Sequence, residues 1–131
     1  MAAGVVAVLA TAVIFGWLLW PTPPGPMVMR TGTSRYVVTA TIDTPRIGTS
    51  AVEIVLTARA GGPSPPATVE IESVMPLMGH AASPILAPSV GDGRYRAEGV
   101  PLMMTGPWEL ALSIDAPGEV EHLTLPLWVS G

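Results

Sequence analysis

The sequence predicts a mainly β protein: an immunoglobulin-like antiparallel β-sandwich preceded by one N-terminal transmembrane helix. Three observations carry this. No side chain from Met1 to Met29 is charged, and every Asp, Glu and Arg lies at or beyond Arg30. From Tyr36 onward apolar residues recur with period two, the spacing of a half-buried strand. Pro- and Gly-rich segments punctuate these runs at short intervals, as turns between strands do. The predicted organisation is an anchor over 1–20, a Pro/Gly-rich linker over 21–35 and the β-domain over 36–131.

AAGVVAVLATAVIFGWLLW, residues 2–20, has Thr11 as its one polar residue. As a helix it spans about 28 Å at ~1.5 Å per residue, against a hydrocarbon core of about 30 Å. Trp17 and Trp20 stand at its C-terminal end, where an aromatic belt belongs. PTPPGP, residues 21–26, ends it, because proline lacks the N–H that a further turn needs. A cleaved signal peptide is the competing reading. It is disfavoured because Trp20, Pro21, Thr22 and Pro23 offer no small-x-small cleavage site. Charge alone, through Arg30 and Arg35 after the helix, favours a cytoplasmic body.

The strands are read in order. TSRYVVTATID alternates around 34–43. SAVEIVLTAR, 50–59, puts Val52, Ile54 and Leu56 on one face. ATVEIESV, 67–74, puts Val69, Ile71 and Ser73 opposite Glu70 and Glu72. GRYRAEGV, 93–100, alternates Arg94, Arg96 and Glu98 against Tyr95, Ala97 and Gly99. WELALSID, 108–115, turns Trp108, Leu110, Leu112 and Ile114 inward. EHLTLPLWV, 121–129, aligns Leu123, Leu125, Leu127 and Val129. DTPRIG, AGGPSPP, LAPSVGDG, TGP and APGE supply turn chemistry between them. Six or seven such strands over about 100 residues suit an immunoglobulin-like sandwich.

Composition narrows the function. The chain has no cysteine, so disulfides, thiolate metal sites, cysteine nucleophiles and lipoprotein acylation are excluded. It has no lysine, a formal net charge of -4 and no basic run, which argues against nucleic-acid binding. No GxSxG elbow or phosphate loop is present, and neither His80 nor His122 has an acid partner by motif. The expectation is a protein that is not an enzyme.

MPLMGH, residues 75–80, is the segment with chemistry to offer. Thioether sulfur is soft and suits Cu(I), and imidazole accepts either copper state. Met75, Met78 and His80 lie here, and Met103 and Met104 follow further along. If the segment is extended, Met78 and His80 project to one side. The bland alternative is that the methionines are flexible core filler. Strand parity, provided TGP adds no bulge, turns Met104 to the same face as the core residue Trp108 and turns Met103 away. His122 alternates away from the leucines and is expected in solvent.

MPLMGH at 75–80, GDGRYRAEGV at 91–100 and MTGPWEL at 104–110 follow one another in the order and spacing of a known pattern. That pattern is a Met-and-His loop, a G-x-Y strand and a strand leading to G-x-W. With it, residues 36–129 resemble the YtkA-like domain, the family that includes FixH-type proteins. Gly93 and Tyr95 match the second element, and Gly106 and Trp108 the third. The resemblance implies an immunoglobulin-like sandwich outside the cytoplasmic membrane. It also implies a link to copper handling or to assembly of a copper-containing respiratory oxidase. Met75, Met78 and His80 match the candidate metal loop, while Tyr95, Gly106 and Trp108 look like fold determinants. No long Met/His-rich tail accompanies them, which speaks against tight Cu(II) binding. The expectation is a single-pass protein of the cytoplasmic membrane that binds or delivers Cu(I) through Met78 and His80, with Met75 and one of Met103 or Met104. Its partners are then the membrane and a membrane protein complex or copper-receiving protein. The rival is a metal-free accessory subunit of a membrane complex.

Overall fold

The computed structural model of the protein describes residues 25–62 and 64–131. The expected anchor over 1–20 lies outside the described residues, as does most of the PTPPGP segment. Among the described residues no helix is long and apolar enough to cross a membrane.

Among the described residues ten strands form two antiparallel sheets. They are β1 (Met27–Gly32), β2 (Tyr36–Ile42), β3 (Gly48–Ala58), β4 (Thr68–Met75), β5 (His80–Ala81), β6 (Ile85–Ala87), β7 (Ser89–Gly91), β8 (Arg94–Leu102), β9 (Gly106–Ala116) and β10 (Glu119–Val129). The first sheet has the order β1-β2-β3-β8-β7. The second runs β10-β9-β4-β5, with β6 also paired to β4. Alternation does what the sequence pattern requires. Val52, Ile54 and Leu56 from β3, Val69 and Ile71 from β4, and Leu110, Leu112 and Ile114 from β9 enter one hydrophobic core shared by the two sheets. Glu70 is exposed on the opposite side of β4, as expected.

Three expectations need correction. Residues 27–32, placed in the linker over 21–35, form strand β1 on the edge beside β2, from Met27↔Ile42 to Gly32↔Val37. MVMRTG alternates half-buried with exposed residues, and Met27 and Met29 pack against the core. Its short length and unbranched methionines gave it little strand signal. The domain therefore starts at β1 rather than at residue 36.

The parity expected through GRYRAEGV also breaks. Gly99 is exposed, not inward with Tyr95 and Ala97, and Val100 and Leu102 take over the inward positions. Gly99 has φ +71, and the β3–β8 register shifts between Ser50 and Val52. A glycine in the left-handed region beside a register shift is a β-bulge, which moves every following side chain to the other face. Finally, LAPSVGDG, residues 86–93 and read as a turn, contains most of the short strand β6 and all of β7.

At the far end, Glu121 is 9 % exposed on the inward face of β10. Burial pushes its carboxyl up. The hydrogen bonds from Ser34 and Thr33, the Arg35 charge and the Arg35 backbone outweigh that and hold it below the ordinary range. Ser34 Oγ donates to Glu121 Oε1 at 2.6 Å. On the outer face of the first sheet, Arg96 Nη2 lies 2.6 Å from Asp43 and its Nε 2.9 Å from Glu98, while Arg94 Nη2 lies 2.7 Å from Glu53. The Asp43 and Glu98 hydrogen bonds raise the Arg96 guanidinium further above its already high value.

Candidate metal centre

MPLMGH makes the turn of a tight hairpin. Met75 ends β4 in an extended conformation, and Pro76 opens a single 3₁₀ turn over Pro76–Met78, where its missing N–H costs nothing. Gly79 closes the turn at φ +61, and its N–H donates to Pro76 O at 3.2 Å. His80 then pairs across from Met75, and Ala81 from Val74. The four residues 76–79 are thus the loop of the β4–β5 hairpin, with glycine in the left-handed position that such loops require.

This geometry changes the sequence expectation. Met78 and His80 do not lie in one extended segment, because the 3₁₀ turn and Gly79 stand between the strands. Both are nevertheless exposed, Met78 at 61 %. Met75 is 3 % exposed and belongs to the hydrophobic core, so the structure makes it a packing residue. Its sulfur is not presented at the surface with the others.

Met103 and Met104 lie in the connection 103–105, where the chain crosses from β8 in one sheet to β9 in the other. The expected core position for Met104 is not found: Met104 is 40 % exposed and Met103 62 %. Strand parity fails here because β9 begins only at Gly106, whose φ of +125 resets the chain direction. A Cβ on Gly106 would stand 3.1 Å from Met75 Cε, so the glycine also leaves room for that methionine.

One residue joins the two segments. Trp108 is 2 % exposed, and its indole Nε1–H donates to the carbonyl of Met104 at 2.7 Å. The His80 ring stands edge-on to the Trp108 ring, 87° between planes and 6.4 Å between centroids. The fold thus brings Met78, His80, Met103 and Met104 to one end of the molecule, with Met75 beneath. The sequence identified all five residues but missed the positioning role of Trp108. The signal was the spacing of Met104 and Trp108, which directly flank the turn TGP at 105–107. His122 is exposed on β10, as expected, and takes no part.

Among the described residues no group of three or more His, Cys, Asp or Glu is placed to hold a metal. Any site at this end therefore depends on thioethers. Two or three exposed methionine sulfurs with one imidazole are a donor set that fits a soft, monovalent ion better than zinc or magnesium.

A family model described as YtkA-like matches residues 32–113, more than half of the chain. The chain belongs to the YtkA-like family. No curated protein and no solved structure matches it. The matched part of this YtkA-like chain takes in the MPLMGH hairpin, the G-x-Y strand and the G-x-W strand, and the structure explains the last two. Gly93 has φ +70, and a Cβ there would lie 2.6 Å from the Leu56 carbonyl oxygen. Tyr95 is buried, and its hydroxyl accepts the Ala67 N–H at 3.2 Å. Gly106 and Trp108 fix the turn under Met104. The match stops within β9, so the Leu125, Leu127 and Val129 side chains that β10 adds to the core of the YtkA-like domain lie beyond it.

Proposed function

We propose that this protein is a membrane-anchored, extracytoplasmic copper-handling protein that takes up Cu(I) as cargo at its Met/His end and passes it on. Assisting the assembly of a copper-containing respiratory oxidase is the use that fits this best. The observation that carries the reading is that Trp108 meets both the His80 ring and the Met104 carbonyl, at the end where Met78 and Met103 are also exposed. Met78 and His80 are the primary donors, and Met103 or Met104 completes the set. Thioethers are neutral and exchange readily, so exposed donors favour hand-over to a partner above permanent storage. Catalysis is not part of the proposal.

The immunoglobulin-like description is supported by strand order. The segment β2-β3-β8-β7 of one sheet and β10-β9-β4 of the other follow the A-B-E-D and G-F-C arrangement of that sandwich. Residues 2–20 serve as the anchor, on the strength of their length and apolarity. The metal-free accessory-subunit reading takes the methionines as core, and of those at this end only Met75 is buried.

The test is a Cu(I) titration of the detergent-solubilised full chain against a chromophoric competitor. The expected result is stoichiometric binding that Met78→Leu with His80→Ala abolishes while far-UV circular dichroism is unchanged. Unaltered affinity in that double variant, or no binding by the parent chain, overturns the proposal. Stoichiometric co-purification of membrane partners without copper then favours the accessory subunit.

A further inference from the structure

The registers show which end of the domain faces the N-terminal segment. Met27 opens β1 opposite Ile42, Ile42 pairs with Val52, and Val52 with Ala97. Beyond that level β3 and β8 continue to Gly48↔Leu102. Gly48 is four residues past Val52, so the strands extend about 13 Å further at ~3.3 Å per residue. The connections 43–47 and 103–105 cap this projection. The chain end joins them, with Ile47 N–H donating to Ser130 O at 3.0 Å, and so does the MPLMGH hairpin through Met75 and Gly106. The Met/His end is therefore the end at which residues 1–26 enter the domain.

That end is apolar where it is exposed. Ile47, Leu77, Met78, Met103, Met104 and Trp128 are there, with Leu77 at 77 % exposure. Within 43–47, 76–79 and 103–105 the charged side chains are Arg46 and Asp43, the latter paired with Arg96 Nη2 at 2.6 Å. The Arg96 guanidinium beside Asp43 offsets the carboxylate that would otherwise repel an anionic surface there. The opposite end offers Val90 and Val120 beside Asp92 and Glu119.

From these observations we infer that the Met/His end is a lipid-contacting surface, seated in the headgroup layer of the bilayer that holds the anchor. This inference rests on the anchor reading of residues 2–20 and is independent of copper. Chain length supports it. Trp20 and Met27 are seven residue steps apart, a reach of at most about 25 Å. With the strands along the membrane normal, the projection takes up ~13 Å of that reach. The loops then lie at most about 12 Å above Trp20 along that normal even with the chain fully extended, against a headgroup layer of about 5–8 Å per side. Exposed Leu, Ile, Met and Trp side chains gain by entering that layer, and Arg46 meets the phosphates.

The absence of cysteine in the chain makes site-directed spin labelling direct. Single variants Leu77→Cys, Ile47→Cys, Val90→Cys, Val120→Cys and Ile14→Cys of the full chain are labelled and reconstituted into equimolar phosphatidylcholine–phosphatidylglycerol vesicles. Collision with oxygen, which partitions into lipid, is compared with collision with a water-soluble nickel chelate. The expected result is oxygen-dominated relaxation at Ile14, Leu77 and Ile47 and chelate-dominated relaxation at Val90 and Val120. Chelate-dominated relaxation at Leu77 and Ile47 with Ile14 in lipid overturns the inference and leaves the anchor standing. Chelate-dominated relaxation at Ile14 as well overturns both. Spin–spin broadening at Leu77 without oxygen access identifies a second copy as the occupant and also overturns it.

Discussion

Gly93→Ala and Gly99→Ala make a matched pair. Both glycines lie in the left-handed region, at φ +70 and +71. A side chain there costs about 1–2 kcal/mol in either variant. Only Gly93 meets an obstacle. Its added Cβ would stand 2.6 Å from Leu56 O, about 0.8 Å inside ordinary contact, whereas nothing lies within 4 Å at Gly99. The obstacle is backbone, so it cannot rotate away. Relief requires the turn to move off β3, and the Leu56 N–H to Gly93 O bond at 2.7 Å stretches beyond useful length. That loss adds ~0.5–1.5 kcal/mol, before any strain left in the neighbouring bond from Ser64 Oγ to Leu56 O. Gly93→Ala is therefore expected to cost about 2–4 kcal/mol and Gly99→Ala about 1–2 kcal/mol. Urea unfolding of the solubilised chain, followed by far-UV circular dichroism, measures both. Equal losses, or a smaller loss for Gly93→Ala, would refute the close-approach argument.

Trp108→Phe keeps most of the buried ring but leaves the Met104 carbonyl without its indole donor. The expected cost is about 1–3 kcal/mol, with weaker Cu(I) retention read by the same chelator competition. Glu121→Gln is expected to flatten the acid limb of the stability curve. The folded carboxyl is held below its unfolded value, so its contribution is present above about 4.5 and is lost as pH falls through the lower folded value. Unfolding midpoints across that range, parent against variant, show the difference. Deleting residues 27–32 removes a paired edge strand and the half-buried Met27 and Met29. It is expected to destabilise the sandwich by about 2–3 kcal/mol in thermal or urea melts, where a mere linker would leave the midpoint unchanged.

The long strands were legible because each buries alternate residues against one core. Val52, Ile54 and Leu56, and likewise Trp108, Leu110, Leu112 and Ile114, are all buried as the alternation demands. What the pattern hid lies where the chain leaves that regime. Glu98 and Gly99 share one bulge, and a local dihedral, not the hydrophobic period, decides which face follows it. Met104 escapes the core because the crossing between sheets breaks parity at Gly106. MVMRTG lacks β-branched density and is held as a strand by pairing to β2, a contact that no local window contains. At the Met/His end the residue types were visible from the start. Their meeting was not, because it depends on Trp108 reaching back to Met104 and across to His80.

The pairing of β1 with β2 has a mechanical consequence. Any tension on residues 1–26 enters the domain at Met27, along the axis of a strand whose six residues are all in register with their neighbour. Such a pull loads the whole ladder in shear at once, instead of opening it one bond at a time from a free end. A domain loaded this way resists being peeled apart. A connection through a floppy leader into the middle of the sandwich would concentrate the same load on a single bond.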